Sequence, residues 1–201
     1  MTVAGLVLAA GEGSRLGRPK ALVRFEDQLL VERAAATLRA AGCFPVLVVL
    51  GAAASEVARS ADLRDAVVVV NDGWATGMGS SLCTGLTALS DLRAPAAVVL
   101  LVDQPHVSPD LVRRLVSHHS PGTAAVSASY GGRRRNPVLL DASVWPEVTA
   151  AAVGDIGARG WLDTHADRVA LVACDDLGSD LDIDTPADLE RLTHDTAKDS
   201  A

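Results

Sequence analysis

Four short, almost uninterrupted apolar runs, residues 3–10, 45–50, 66–71 and 96–102, alternate with stretches of helical periodicity at residues 29–41, 53–59 and 79–89. Strands with one wet face alternate apolar and polar residues, whereas strands covered by helices on both sides stay apolar throughout. The alternation therefore predicts β-α-β units around a mostly parallel sheet, an α/β fold of three layers with its strands buried on both faces. Ser108 followed by Pro109 supplies an N-cap for a further helix to residue 119. Beyond Pro121 the pattern changes. Residues 123–130 and 134–140 read as two strands joined by Gly131-Gly132, a hairpin that makes the sheet mixed. Ser143 and Asp155 can each cap another helix, residues 168–174 read as a strand, and Thr185-Pro186 opens a last helix. No repeat or linker interrupts residues 1–193, which are expected to form one domain, with a polar tail at 194–201 expected to fray.

Composition narrows the function classes. The 201 residues carry a formal charge of −7, against a nucleic-acid or anionic-membrane surface, which needs clustered Lys and Arg. An anionic ligand has to be held locally. Cys43, Cys83 and Cys174 lie far apart without metal-ligand spacing, so they read as reduced core residues of a cytoplasmic protein. The first apolar run is too short to cross a bilayer and has no positive leader, so neither a signal peptide nor an anchor is expected there.

The chemistry concentrates after the first run. Residues 8–20, LAAGEGSRLGRPK, carry Gly11, Gly13 and Gly17 with Arg15, Arg18 and Lys20. Glycines let backbone N–H groups close on a phosphate, and the cations add charge in two geometries. The spacing G-x-G-x-x-x-G is not that of a dinucleotide fold, and no G-K-[ST] of a P-loop follows. Of the 18 Lys and Arg residues only two are lysines, Lys20 and Lys198. In a chain that otherwise uses arginine, this points to a task for a compact ammonium at position 20. A turn with solvated cations is the alternative.

This loop resembles the L-A-A-G-x-x-x-R-[ML]-G-x-P-K motif of the MobA-like nucleotidyltransferases, and within them is most similar to the molybdenum cofactor cytidylyltransferases. Residues 71–82 (NDGWATGMGSSL), 102–105 (VDQP), 136–139 (NPVL) and 182–189 (DIDTPADL) resemble further family segments in the same order. The resemblance implies a Rossmann-like nucleotidyltransferase fold and transfer of CMP from CTP to molybdenum-molybdopterin, with a target molybdoenzyme or its chaperone as a possible partner. It implies that Lys20 and Arg15 hold the phosphates, that the loop with Gly11 and Gly13 wraps the triphosphate, that backbone groups of Leu8, Ala9 and Ala10 meet the base, and that Asn71, Gly77 and Ser81 contact the nucleotide. It associates Ala10 with cytidine, where guanosine enzymes have glycine.

Asp103 closes a buried parallel strand, at the carboxyl edge where open α/β sheets bind ligands. Asp180, Asp182 and Asp184 alternate and would share one face if extended, with Ile183 opposite. The family pattern selects Asp184, which with Asp103 would hold Mg²⁺ through oxygen ligands and serve catalysis beside Lys20 and Arg15. Either Asp180 or Asp182 can equally be solvated. Trp74 reads as packing, and Arg133-Arg134-Arg135 either meets an anionic second substrate or is a solvated turn. The five histidines show no ligand spacing and no paired nucleophile. Two further readings stay open: another small-molecule or sugar-phosphate nucleotidyltransferase of the same fold, including a guanylyltransferase, and a non-catalytic nucleotide-binding cofactor chaperone.

Overall fold

The computed structural model describes residues 2–199, with side chains as far as residue 193. The order of elements is β1 (Ala4–Ala9), β2 (Arg24–Phe25), β3 (Gln28–Leu29), α1 (Leu30–Ala40), β4 (Val46–Leu50), α2 (Ala54–Ser60), β5 (Val67–Val70), α3 (Met78–Asp91), β6 (Ala96–Leu101), α4 (Pro109–Ser117), β7 (Ala125–Tyr130), β8 (Arg133–Asp141), α5 (Trp145–Ala151), α6 (Arg159–Thr164), β9 (Val169–Ala173) and α7 (Pro186–Asp199). Seven strands form one sheet in the order β5-β4-β1-β6-β8-β7-β9, and β2 pairs only with β3. All neighbours are parallel except β8, which runs antiparallel to both β6 and β7. The sheet is thus mixed and mostly parallel. Gly131 (φ 55°) and Gly132 (φ 73°) turn the β7–β8 hairpin, the left-handed pair that a two-residue turn between twisted strands requires.

Strand periodicity sorts the core into two layers. In β1, Val7 and Ala9 face a cluster that takes Ala34 and Leu38 of α1 and Leu111 and Leu115 of α4. Leu6 and Leu8 face the opposite cluster, with Leu82 and Leu86 of α3, Trp145 of α5 and Trp161 of α6. Helices cover both sides, as expected, but not everywhere. The run at 66–71 becomes β5, whose Val67 and Val70 remain 47% and 54% exposed. As the outermost strand it has a partner on one side only, and the helices pack over the middle of the sheet.

Two caps differ from expectation. Ser108 Oγ does accept from the Leu111 amide at 3.2 Å, but Ser143 caps no helix. Asp141, two residues earlier in the chain, accepts instead from the Ser143 amide at 3.0 Å. Asp155 caps an element distant in sequence, accepting from the Met78 amide at the start of α3. Cys43 and Cys174 are buried and no cysteine is paired; burial pushes the Cys43 thiol up to about 11. The backbone of α7 continues to Asp199, while side chains from His194 onward lie outside the described residues, and with them the expected fraying. No helix among the described residues is long and apolar enough to cross a membrane.

Connections decide where a ligand can enter. From β1 the chain moves outward to β4 and β5, then returns across β1 to form β6 on its other side. At such a reversal the loops leaving neighbouring strands diverge and open a crevice at their carboxyl ends.

Candidate functional site

The loop leaving β1 and the turn leaving β6 meet in that crevice. Gly13 (φ 65°) and Gly17 (φ 71°) bracket a single tight turn, Ser14–Leu16. A Cβ on Gly13 would lie 2.1 Å from the Arg18 carbonyl oxygen, so only glycine lets the loop fold back on itself. Pro19 then directs Lys20 into a second short turn, Lys20–Leu22. Its ammonium Nζ donates to Asp103 Oδ2 at 2.5 Å and to Asp184 Oδ1 at 2.5 Å. Arg15 completes the cluster, 3.1 Å from Asp184 Oδ2. Lys20 and Asp103 are mostly buried, their side chains 18% and 16% exposed. Burial alone would pull the Lys20 pKa down, but the charges and hydrogen bonds of Asp103 and Asp184 outweigh it and hold the ammonium above its ordinary value.

Asp184 reaches this point because Ile183 anchors the segment. Ile183 is fully buried, and its amide donates to the Asp103 carbonyl at 2.9 Å. The acids around it then take separate partners: Asp184 the ammonium, Asp182 the Gln104 amide at 3.0 Å, and Asp180 Arg135 at 2.7 Å. Asp188 accepts from the Thr185 amide at 2.9 Å while its own amide donates to Thr185 Oγ1 at 3.2 Å. This reciprocal cap fixes the backbone just after Asp184.

A cavity of about 410 Å³ opens over the cluster, walled by Leu8, Ala10, Gly11, Gly13, Arg15, Lys20, Gly77, Ser81, Asp103 and Asp184. Two residues expected there are absent. Ala9 is turned to the opposite face by strand alternation and is 1% exposed. Asn71 is buried beneath the cavity, with its amide nitrogen donating to Ser80 Oγ at 2.8 Å and Ser81 Oγ at 3.0 Å and its oxygen accepting from the Gly73 amide. It holds the start of α3. Trp74 packs against Gly51, as expected, and also forms part of the wall. At Gly77 (φ 112°) a Cβ would meet the Gly154 backbone at 2.4 Å, so this glycine seats the 152–157 segment over the cavity rim.

A second cavity, about 510 Å³, adjoins the first across their shared residues Leu8, Met78 and Leu101. Gln104, Arg134, Arg135, Asn136, Arg159, Asp180 and Asp182 supply its polar lining. Arg134 and Arg135 of the triple arginine reach it, each already paired with an aspartate, Asp163 and Asp180 respectively. Gln104 is 6% exposed and its Oε1 has no hydrogen-bond partner among the described residues. The Asp182 carboxyl is raised to about 6, first by desolvation at the cavity wall and then by the Asp103 charge, although the residue as a whole keeps much of its surface in solvent. Met78, Gln104 and Asp155 were not legible as site residues. The available signals were Gln104 beside Asp103 and the adjacency of Met78 to Gly77.

Residues 5–174 match the MobA-like NTP transferase domain. The chain belongs to this family. It is 41% identical over 198 residues to a protein of Paenarthrobacter nicotinovorans named nicotine blue oxidoreductase, covering 94% of this chain and 96% of that one. It is 30% identical over 208 residues to a molybdenum cofactor guanylyltransferase of Cereibacter sphaeroides, over the full length of both. A crystal structure of Rv0371c from Mycobacterium tuberculosis in complex with manganese superposes with a TM-score of 0.79 at 30% identity, covering 96% of this chain and 99% of that one. In this MobA-like nucleotidyltransferase the glycine loop, the β6 aspartate and the Asp184 segment thus converge at the sheet's reversal point.

Proposed function

We propose that the protein transfers CMP from CTP to the terminal phosphate of molybdenum-molybdopterin, releasing pyrophosphate, in the cytoplasm and with Mg²⁺. The observation that carries this is the meeting of Lys20 and Arg15 with Asp103 and Asp184 in one crevice, although they stand up to 169 positions apart in the chain. A binding module needs cations for phosphate but no acids facing them. The name of the Cereibacter relative supports the acceptor, and the manganese complex of Rv0371c supports a divalent ion.

The acids fit such an ion. Asp103 Oδ1 is buried without a partner among the described residues, and both donors are carboxylate oxygens, the set Mg²⁺ prefers. No group of three or more His, Cys, Asp or Glu among the described residues is placed to hold a metal, so phosphate oxygens and water would complete its shell. When bound, Mg²⁺ would neutralise charge on the α-phosphate.

The chain's own residues do the remainder. An oxygen of the acceptor phosphate bonds to the α-phosphorus as the bond from that phosphorus to the bridging oxygen breaks, and pyrophosphate leaves with the electron pair. No covalent enzyme intermediate forms. Loop 8–20 holds the triphosphate in line for this displacement, and Lys20 and Arg15 receive the charge that accumulates on the leaving group. The second cavity receives the acceptor, and its apolar wall of Leu82, Val99 and Val138 suits a flat ring. Ala10, which lines the first cavity, selects cytosine on the family pattern.

Pyrophosphate release measured with Mg²⁺, the molybdenum cofactor, and CTP, GTP and ATP side by side tests this reading. CTP turns over fastest if it is right. Preference for GTP would keep the chemistry and correct the base, and no release with any of the three would sink it. The Paenarthrobacter relative, alike over nearly all of both chains, supplies a second reading: oxidation–reduction acting on nicotine blue. Nicotine blue consumed together with NADH or NADPH, and no pyrophosphate released, would establish that reading instead.

A further inference from the structure

Lys20 bridges the two acids that would hold a divalent ion. Its ammonium touches one oxygen of each acid, Asp103 Oδ2 and Asp184 Oδ1, both at 2.5 Å, and Arg15 takes the remaining oxygen of Asp184. Two of the three ammonium donors are thereby committed. Two cations meet two carboxylates, with the charge of Asp182 near enough to be felt by both acids and by Lys20, in a crevice where Lys20 and Asp103 are largely withdrawn from water. A dication entering alone would find Asp103 Oδ1 unpartnered among the described residues but both Asp184 oxygens taken, and would lie within a few ångströms of the ammonium, a repulsion that partial burial strengthens.

A triphosphate changes that arrangement. It offers the ammonium and the guanidinium other anionic oxygens, so Lys20 can leave the carboxylates without losing its hydrogen bonds. The geometry points to Lys20 as a placeholder cation, which closes the Asp103–Asp184 pair to divalent metal until nucleotide phosphates draw it away. The inference rests on the reading that this crevice takes a nucleoside triphosphate with Mg²⁺, and it adds an order: the free protein has no formed metal site. Linkage makes the effect reciprocal, since metal must then raise nucleotide affinity by the same factor that nucleotide raises metal affinity.

Mn²⁺ serves as the probe, with the free ion counted by its electron paramagnetic resonance signal during titration of the full chain. Without nucleotide, the wild type should bind Mn²⁺ no tighter than about 1 mM, while Lys20→Met, which keeps length and removes charge, should bind at least about thirtyfold tighter. Adding Asp103→Asn to Lys20→Met should abolish that gain. Wild type and Lys20→Met agreeing within threefold would overturn the inference. Because this arm contains no nucleotide, its failure is separate from any failure of nucleotidyl transfer.

A second measurement is read on the wild type, with a variant used only for assignment. The sequence holds only two lysines, Lys20 and Lys198, so selective ¹⁵N labelling of lysine gives two side-chain ammonium resonances, which Lys20→Met assigns, or Lys198→Met if the former does not fold. Mg²⁺ alone should leave the Lys20 resonance in place, and Mg²⁺ with a non-hydrolysable CTP or GTP analogue should shift it. A shift of equal size with Mg²⁺ alone would equally overturn the placeholder role.

Discussion

The two adjoining cavities are built on different principles. The polar wall of the first comes largely from one continuous loop, residues 8–20, closed by two acids. Its left-handed glycines are dictated by backbone geometry, and its ammonium is shared between carboxylates. The second is assembled from short pieces around residues 104, 134–136, 156–159 and 180–182, and two of its arginines are each answered by an aspartate from another segment. A loop fixed by its own backbone can hold a ligand common to many enzymes, such as a triphosphate. A wall of exchangeable side-chain pairs can be refitted to a new acceptor without disturbing that loop, which is consistent with relatives carrying such different names.

The comparison breaks first at Lys20. Lys20→Ala is expected to lower turnover about a hundredfold, on the order of 3 kcal/mol, because a preorganised charge facing the transition state is lost. The acceptor KM should move less than about threefold, since Lys20 lines only the first cavity. Pyrophosphate-release kinetics with each substrate varied in turn separates the two, and wild-type turnover in the variant would remove Lys20 from the reaction.

Asn71 tests the framework beneath the same cavity. Replacing it with alanine removes the donor to the Ser80 and Ser81 hydroxyls and the acceptor of the Gly73 amide, at a cost of about 2 kcal/mol in stability, or roughly 4–8 °C in Tm for a chain of this size. Thermal unfolding and nucleotide titration together decide its role. A large loss of affinity at unchanged Tm would return Asn71 to direct contact with the nucleotide.

A smaller effect is expected at Gly13. Alanine there must adopt a left-handed backbone and displace the Arg18 carbonyl. The loop opens, and the nucleotide Kd rises about tenfold, close to 1.4 kcal/mol, at the low end of the strain such a residue stores. Calorimetric titration with CTP and GTP measures it, and unchanged affinity would mean that the loop does not grip the phosphates.

Legibility in the sequence followed the same division. The strand runs, the hairpin at Gly131-Gly132 and the Lys20 loop could be read because each is a local pattern, with its periodicity or turn chemistry contained within a dozen residues. The meeting of Asp103 with Asp184 had no such pattern and came through the family resemblance. The direction of the Ala9 side chain is not visible in a motif, which treats neighbouring letters as equivalent, whereas strand alternation sends their side chains to opposite faces. Asn71 was misplaced because a side chain that serves two hydroxyls and an amide looks, in one dimension, like one that serves a ligand. Asp155 caps a helix 77 residues earlier in the chain, a relation carried only by the tertiary fold.

Gln104 offers the finest test of the division, because it follows Asp103 directly yet lines only the second cavity. Its amide nitrogen is committed to Asp182 at 3.0 Å, and its buried oxygen has no partner among the described residues. Methionine in its place keeps the volume and removes both polar groups, so Asp182 loses its donor and an acceptor loses a hydrogen-bonding oxygen. The acceptor KM should rise about fivefold, near 1 kcal/mol for one neutral hydrogen bond, with the nucleotide KM and Tm unchanged. If the nucleotide KM rose while the acceptor KM stayed put, the wall between the cavities would not separate the substrates, and the two regions would have to be treated as one site.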